Sequence, residues 1–158
     1  MAVPYRSGYV GALMDEYERA ARELLAVIER LDDSDYVTLR DAMTEDESCR
    51  SIQTVMSHVV RACFGYADML NEVWGRPKNP QSRELLERDE ALARLRAGLQ
   101  YTLATVEGHM DLTEAQGTAI HMHSSWGQEY DFDQLFEHAI MHLHRHRRQI
   151  ERWLAEAT

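Results

Sequence analysis

The chain has eight histidines, and four of them fall between positions 138 and 146, in "HAIMHLHRHRRQI". A neutral imidazole nitrogen is the commonest protein ligand for a transition metal, and its proton changes hands near neutrality. A solvated helix face would account for the arginines in this stretch, but not for histidines in register with apolar residues. Laid out at about 100° per residue from His138, Leu135 and Trp153 fall near 60°, Ala139 near 100°, and Phe132 and Ile150 near 120°. His142, at about 40°, and His146, at about 80°, lie inside that apolar stripe. His138 lies at its margin, and His144 points away with Arg148 and Glu151.

His142 and His146 therefore form an i,i+4 pair, one helical turn apart, looking inward where they can share a ligand. A third candidate stands far upstream in "SIQTVMSHVV": His58 follows Val55 by three residues and precedes Ala62 by four, which puts it on an inward face too. A lone inward histidine is ordinarily a core residue with a hydrogen-bond partner. Three imidazoles in one interior are harder to accommodate, because each brings a polar nitrogen that must be satisfied. One metal ion would satisfy all three. Three nitrogen ligands also leave a coordination position open, as catalytic zinc sites do and closed structural sites do not.

These residues need helices to carry them, and the apolar spacing supplies four. The first is expected from about Tyr9 to Leu31, stopped by "DDSDY". The second begins at Ser51, an N-cap residue, and runs to Trp74, where "GRPKNPQS" ends it. The third is expected over about Arg83 to Met110, with Leu85, Leu92, Leu95, Leu99, Leu103 and Val106 inward. After an irregular segment, "TAIHMHSSWGQEYD", the fourth covers about Asp131 to Ala155. No stretch alternates as a strand would. The reading is an all-α four-helix bundle, a fold whose interior commonly houses metals, with residues 1–158 as a single domain.

Composition narrows the function. Charged residues make up 28% of the chain and the formal net charge is −10, which argues against nucleic-acid binding because phosphate contacts need a basic surface. The one basic turn, around Arg145, Arg147 and Arg148, leaves room for a local anion pocket. No signal peptide and no run of about 18 apolar residues is visible, so the expectation is a cytoplasmic protein with no membrane partner. Cys49 and Cys63 form no CxxC pair and read as two free thiols; Cys63, five residues after His58, points to another side of its helix and reads as packing. The methionines, Met14, Met43, Met56, Met69, Met110, Met122 and Met141, read as gap-filling hydrophobes. Tyr66 and Tyr101 are candidates to line the interior. Trp126 and Gly127 read as a turn capping the mouth of the site, and His121 and His123 as too irregularly placed to join the inward trio.

Taken together, "SIQTVMSHVV" in the second helix, a "WG" before the last, and "HAIMHLHRHRRQI" within it resemble the DinB/YfiT-like family. The resemblance covers almost the whole chain in helix count and order, and its specificity rests on those segments and the roughly eighty residues between them. It implies His58, His142 and His146 as metal ligands, followed by Arg147, Gln149 and Ile150. Arg148 stands where glycine is frequent, and His138 matches a frequent extra histidine, carried here as a supporting or alternative ligand. The resemblance further implies a four-helix bundle of unusual connectivity, a divalent ion (nickel or zinc), and a homodimer. Phe136, Leu143 and Leu154, apolar but outside the inward stripe, point the same way. Activities within the wider group include thiol-dependent transferases and an isomerase using low-molecular-weight thiols.

The expected function is a metalloenzyme acting on a small-molecule substrate, such as an S-transferase with a low-molecular-weight thiol as cosubstrate. A metal-dependent hydrolase and a noncatalytic metal- or ligand-binding stress module are the alternatives. Hydrolysis would need a carboxylate base. Glu129 and Glu137 are near in sequence, but Glu137 lies off the inward stripe, so thiol transfer is favoured.

Overall fold

A computed structural model describes residues 4–157. Four long helices dominate it: α1 (Gly8–Ile28), α3 (Ile52–Val73), α4 (Arg88–Val106) and α6 (Phe132–Glu156). The short helices α2 (Asp33–Val37) and α5 (Glu114–Thr118) lie in the connections. Between α5 and α6, β1 (Met122–His123) pairs antiparallel with β2 (Glu129–Tyr130) in a two-stranded hairpin, with Met122 opposite Tyr130. Helix α3 packs on α4 and on α6, and α1 packs on α6 and α4. The core between them holds Val10, Met14, Leu24 and Ile28 of α1, Ile52, Met56 and Leu70 of α3, Leu95 of α4, and Phe132, Leu135 and Ile150 of α6.

The two helices that carry the candidate ligands start on strong local signals. Ser51 accepts the Thr54 N–H at 3.1 Å while its own N–H donates to Thr54 Oγ1 at 3.0 Å. Asp131 does the same with Gln134, at 2.8 Å and 3.0 Å. Each reciprocal pair satisfies two amides that a helix start otherwise leaves open. Helix α3 stops at Gly75, whose φ of 66° is left-handed. The Arg76 N–H reaches back to the Asn71 carbonyl at 2.7 Å and the Gly75 N–H to that of Glu72 at 3.1 Å, the paired closure that a left-handed residue permits. Gly98 lets α4 approach α3 closely: a Cβ there would lie 2.9 Å from Cys63 Sγ and 3.1 Å from the Phe64 ring.

Four expectations need correction. The third long helix starts at Arg88, not near Arg83, because residues 76–87 form a non-helical strap pinned to α3. The Leu86 N–H donates to Ser57 Oγ at 2.9 Å, and the Leu86 carbonyl accepts from Tyr36 Oη at 3.2 Å and Gln53 Nε2 at 3.3 Å. Leu86 is thus the buried residue and Leu85 is exposed. The first helix ends at Ile28, where Glu29 to Leu31 form a turn before Asp32 caps α2. Phe136 and Leu143 are not surplus apolar surface, since both are 2% exposed and belong to the core, with Phe136 edge-on to Tyr17 of α1. Met43 and Met141 are exposed and fill no gap, whereas Met14, Met56 and Met122 are buried. Among the described residues no helix is long and apolar enough to cross a membrane.

Candidate metal centre

Helices α3 and α6 run antiparallel, so His58 meets His142 and His146 while Tyr66, two turns on, meets His138 and His142. The His142 Nε2 lies 2.8 Å from the Nε2 of His58 and 3.2 Å from that of His146. One ligand atom from each of the three falls within 4.8 Å of the others. His142 is buried at 5% exposure, and His58 and His146 are partly buried. On the other side of its ring, His146 donates Nδ1–H to Gln149 Oε1 at 3.0 Å. That bond fixes the tautomer and leaves the Nε2 lone pair pointing at its neighbours.

The trio fits one cation better than it fits itself. With His146 Nε2 an acceptor, the single Nε2–H available to His142 would have to serve two rings at once. A four-coordinate ion bound at about 2.0–2.1 Å separates its ligand nitrogens by about 3.3 Å, close to the 2.8 Å and 3.2 Å that separate His142 from its two neighbours. Protonation is not the way out. Burial, reinforced by the charges of neighbouring rings, pushes His142 down to about 2. Burial, with His146 and Arg61 nearby, pushes His58 to about 4. His146 is lowered too, by burial first, against the Gln149 hydrogen bond that acts to raise it. Three neutral imidazoles with converging lone pairs are positioned to bind a metal ion.

Two cavities meet at the trio and share His58, His142 and Arg145. The smaller, about 490 Å³, extends along α6 toward Arg148, Gln149 and Arg152 and is closed by Asp46 and Cys49 from the loop before α3. The larger, about 730 Å³, extends the other way past Tyr66 and His138 to Trp126 on the hairpin turn. Gly127, with φ of 87°, supplies the left-handed step of that turn. Trp126 stacks at 6.2 Å on His138, whose Nδ1 lies 3.3 Å from Tyr130 Oη. His138 packs on His142 with ring centroids 6.1 Å apart and stands outside the trio, as a supporting ring.

Several other candidates resolve. His144 is not part of the trio, and Tyr101 borders neither cavity, its hydroxyl donating to Asp68 at 2.7 Å. His121 and His123 share Glu129 on the exposed hairpin, at 2.9 Å and 3.3 Å. Glu129 is therefore engaged, and Glu137 borders neither of the two cavities at the trio. Asp46 borders the smaller cavity, but the Ser48 hydroxyl and amide and the Cys49 thiol hold its carboxyl below the ordinary range, which makes it a poor base. Arg148 is exposed as expected, yet it borders the smaller cavity rather than a remote surface. Sequence reasoning missed Asp46, Cys49, Arg61 and Arg83, and placed Arg145 only in a basic turn with room for an anion pocket. The first two sit in a loop with no periodicity to assign a face. Arg61 and Arg83 show only as ordinary helical or connecting charges.

A model of the DinB family matches residues 5–157, nearly the whole chain. The chain belongs to the DinB family. No curated protein matches it. In this DinB-family protein the residues after the histidine pair divide their work: Gln149 orients His146, and Ile150 is fully buried. Arg147 ties α6 to α1 through a close ion pair with Glu23, and also pairs loosely with Glu151, one turn along α6, at 3.8 Å.

Proposed function

We propose that this DinB-family protein is a metal-dependent enzyme in which His58, His142 and His146 bind a divalent ion, nickel or zinc, and that it transfers a low-molecular-weight thiol to a small electrophile. The observation that carries this reading is the convergence of three neutral Nε2 atoms at the junction of two cavities. A bound cation would supply Lewis acidity, favouring the deprotonated, nucleophilic form of a thiol at neutral pH.

The chain's own groups do the rest. The three imidazoles hold the ion through neutral nitrogens, and Gln149 keeps His146 in the tautomer that can coordinate. Arg145, which borders both cavities, adds a positive field beside the trio that would favour the deprotonated form of a thiol entering there. Tyr66 and Trp126 wall the larger cavity with aromatic surface, against which the apolar part of an electrophile would lie. Among the described residues no carboxylate at the trio is free to serve as a base for water, which favours thiol transfer over hydrolysis. Neither of the chain's cysteines is suited to be the nucleophile, since burial raises the pKa of both Cys49 and Cys63.

Elemental analysis of untagged protein is the first test, with near one divalent ion per chain expected. Alanine at His58, His142 or His146 should strip that ion, and His144→Ala should not. Equal loss from His144→Ala would mean that the ligand set is wrong. Turnover of an electrophile with a low-molecular-weight thiol should follow metal content; stoichiometric binding with no turnover would make the protein a ligand-binding module. The homodimer implied by the resemblance draws no support from Phe136 or Leu143, which are already buried in the core, and sedimentation at micromolar concentration decides it.

A further inference from the structure

The charge around the trio runs against the charge of the chain. The protein has 17 lysines and arginines against 27 acidic residues. Eleven of the 17 pair with a carboxylate. Among the described residues that leaves six: Arg30, Arg61, Arg76, Arg83, Arg145 and Arg148. Arg76 is otherwise engaged, donating to the Thr105 carbonyl at 2.8 Å and lying over the Trp74 ring. Four of the remaining five border the two cavities that meet at His58 and His142. With acids in excess, random placement would pair such arginines, not gather the unpaired ones at one site.

The larger cavity makes the case strongest. Arg61, Lys78, Arg83 and Arg145 line it against Asp68 and Glu72, so its wall carries a surplus of two positive charges with the histidines neutral. Its acids are already engaged. Asp68 accepts from Tyr101 Oη and from the Asn79 amide, both at 2.7 Å, and Glu72 accepts from Lys78 at 3.0 Å. Burial is the larger influence disfavouring the charge on Arg61, and Arg83, close enough to repel it, adds to the effect. Three guanidinium groups without a counter-ion beside an aromatic wall form a receptor for a planar or tetrahedral oxyanion, which the guanidinium fork binds in bidentate fashion.

We propose that the larger cavity binds a small organic oxyanion, a carboxylate or a phosphate ester, through Arg61, Arg83 and Arg145. Its carbon skeleton would lie against Tyr66 and Trp126 and its reactive end at the histidine trio. The position of the reactive end rests on the metal reading above; the anion site itself does not.

Calorimetric titration of the purified protein at low salt tests it, with glutarate, glycerol phosphate and neutral glutaramide as probes. At least one of the two anions should bind tenfold or more tightly than glutaramide, and the one that binds identifies the oxyanion as carboxylate or phosphate. The double variant Arg61→Gln, Arg145→Gln should weaken that binding at least tenfold. Arg30→Gln, which removes an unpaired arginine bordering neither cavity, should leave it unchanged. Circular dichroism confirms that each variant is folded; should the double variant unfold, Arg83→Gln alone carries the test with a smaller loss in the same direction. Binding of glutaramide equal to that of both anions, no loss in the arginine variants, or an equal loss from Arg30→Gln would overturn the proposal. Metal content is measured on the same samples. Metal retained without anion binding overturns this inference alone, and anion binding without metal overturns only the metal reading.

Discussion

Lowering the pH of the metal-free protein should unfold it from the histidine trio outward, and the size of the effect can be worked from the site. The His142 imidazole is held at about 2 in the fold, against about 6.5 in an unfolded chain. Below about pH 6.5 the unfolded state takes up a proton that the folded state refuses, so stability falls as pH falls. The contribution is fully present above that value and drains away through the acid range until the folded-state value is reached. Between pH 7 and 4.5 the loss from His142 is roughly 2–3 kcal/mol, from about 1.4 kcal/mol per pH unit over slightly less than two effective units. His58, held at about 4, loses a similar amount over the same range by the same arithmetic, roughly 2 kcal/mol. Together these approach about 5 kcal/mol, the lower end of the whole stability of a typical domain. Urea denaturation in the presence of a chelator, at several pH values from 7 to 4.5, measures it. His142→Phe, which keeps the ring volume and removes the titrating nitrogen, should cut the fall by about half. A variant that loses stability with acid as steeply as the parent would show that His142 already carries its proton in the fold. The picture of a buried neutral trio would then be wrong.

Metal should reinforce this pH dependence. Protons compete for the same nitrogens, so thermal melts of metal-loaded and chelator-treated protein should converge as pH falls below about 6.5. A gap that persists to about pH 4 would indicate carboxylate ligands. Gln149→Leu removes the acceptor that orients His146 and should weaken metal affinity about 10- to 100-fold in chelator competition, with little change in the chelated protein's melting temperature. Gly98→Val drives a branched side chain into Cys63 and Phe64 and should cost about 1–3 kcal/mol of stability by denaturant titration, without altering metal stoichiometry. Asp131→Ala removes the side-chain acceptor that starts α6 and should cost about 1 kcal/mol, read from the same titration.

What the sequence could reveal tracks what a helix makes periodic. The phase of His142 and His146 was legible because one turn every 3.6 residues ties each position to a face, and the apolar residues of α6 mark which face is inward. His58 was legible by the same rule on α3, starting from a capping residue that the sequence also displays. The third helix was misread at its start because Leu85 and Leu86 carry equally strong apolar signals. What decides between them is a hydrogen bond from the Leu86 amide to Ser57, 29 residues away. The apparent surplus of apolar residues on the flank of α6 was misread for a related reason. A wheel shows only one helix, and the neighbours that bury Phe136 and Leu143, Tyr17 of α1 against Phe136 among them, lie on other elements.

The unpaired arginines were invisible for a deeper reason. Whether a cation has a counter-ion is a property of pairs brought together by folding. In sequence Arg145, Arg147 and Arg148 look like one basic turn, yet only Arg147 finds acids, Glu23 and Glu151. The other two are left at the edge of cavities in which the local carboxylates are committed elsewhere. The fold thus keeps its acidic surplus away from the trio while placing uncompensated positive charge around it. In the folded chain alone that is unfavourable, since like charges in partly buried surroundings repel and lose hydration. The arrangement becomes favourable only when something negative enters, and the two openings at His58 and His142 are where it would do so.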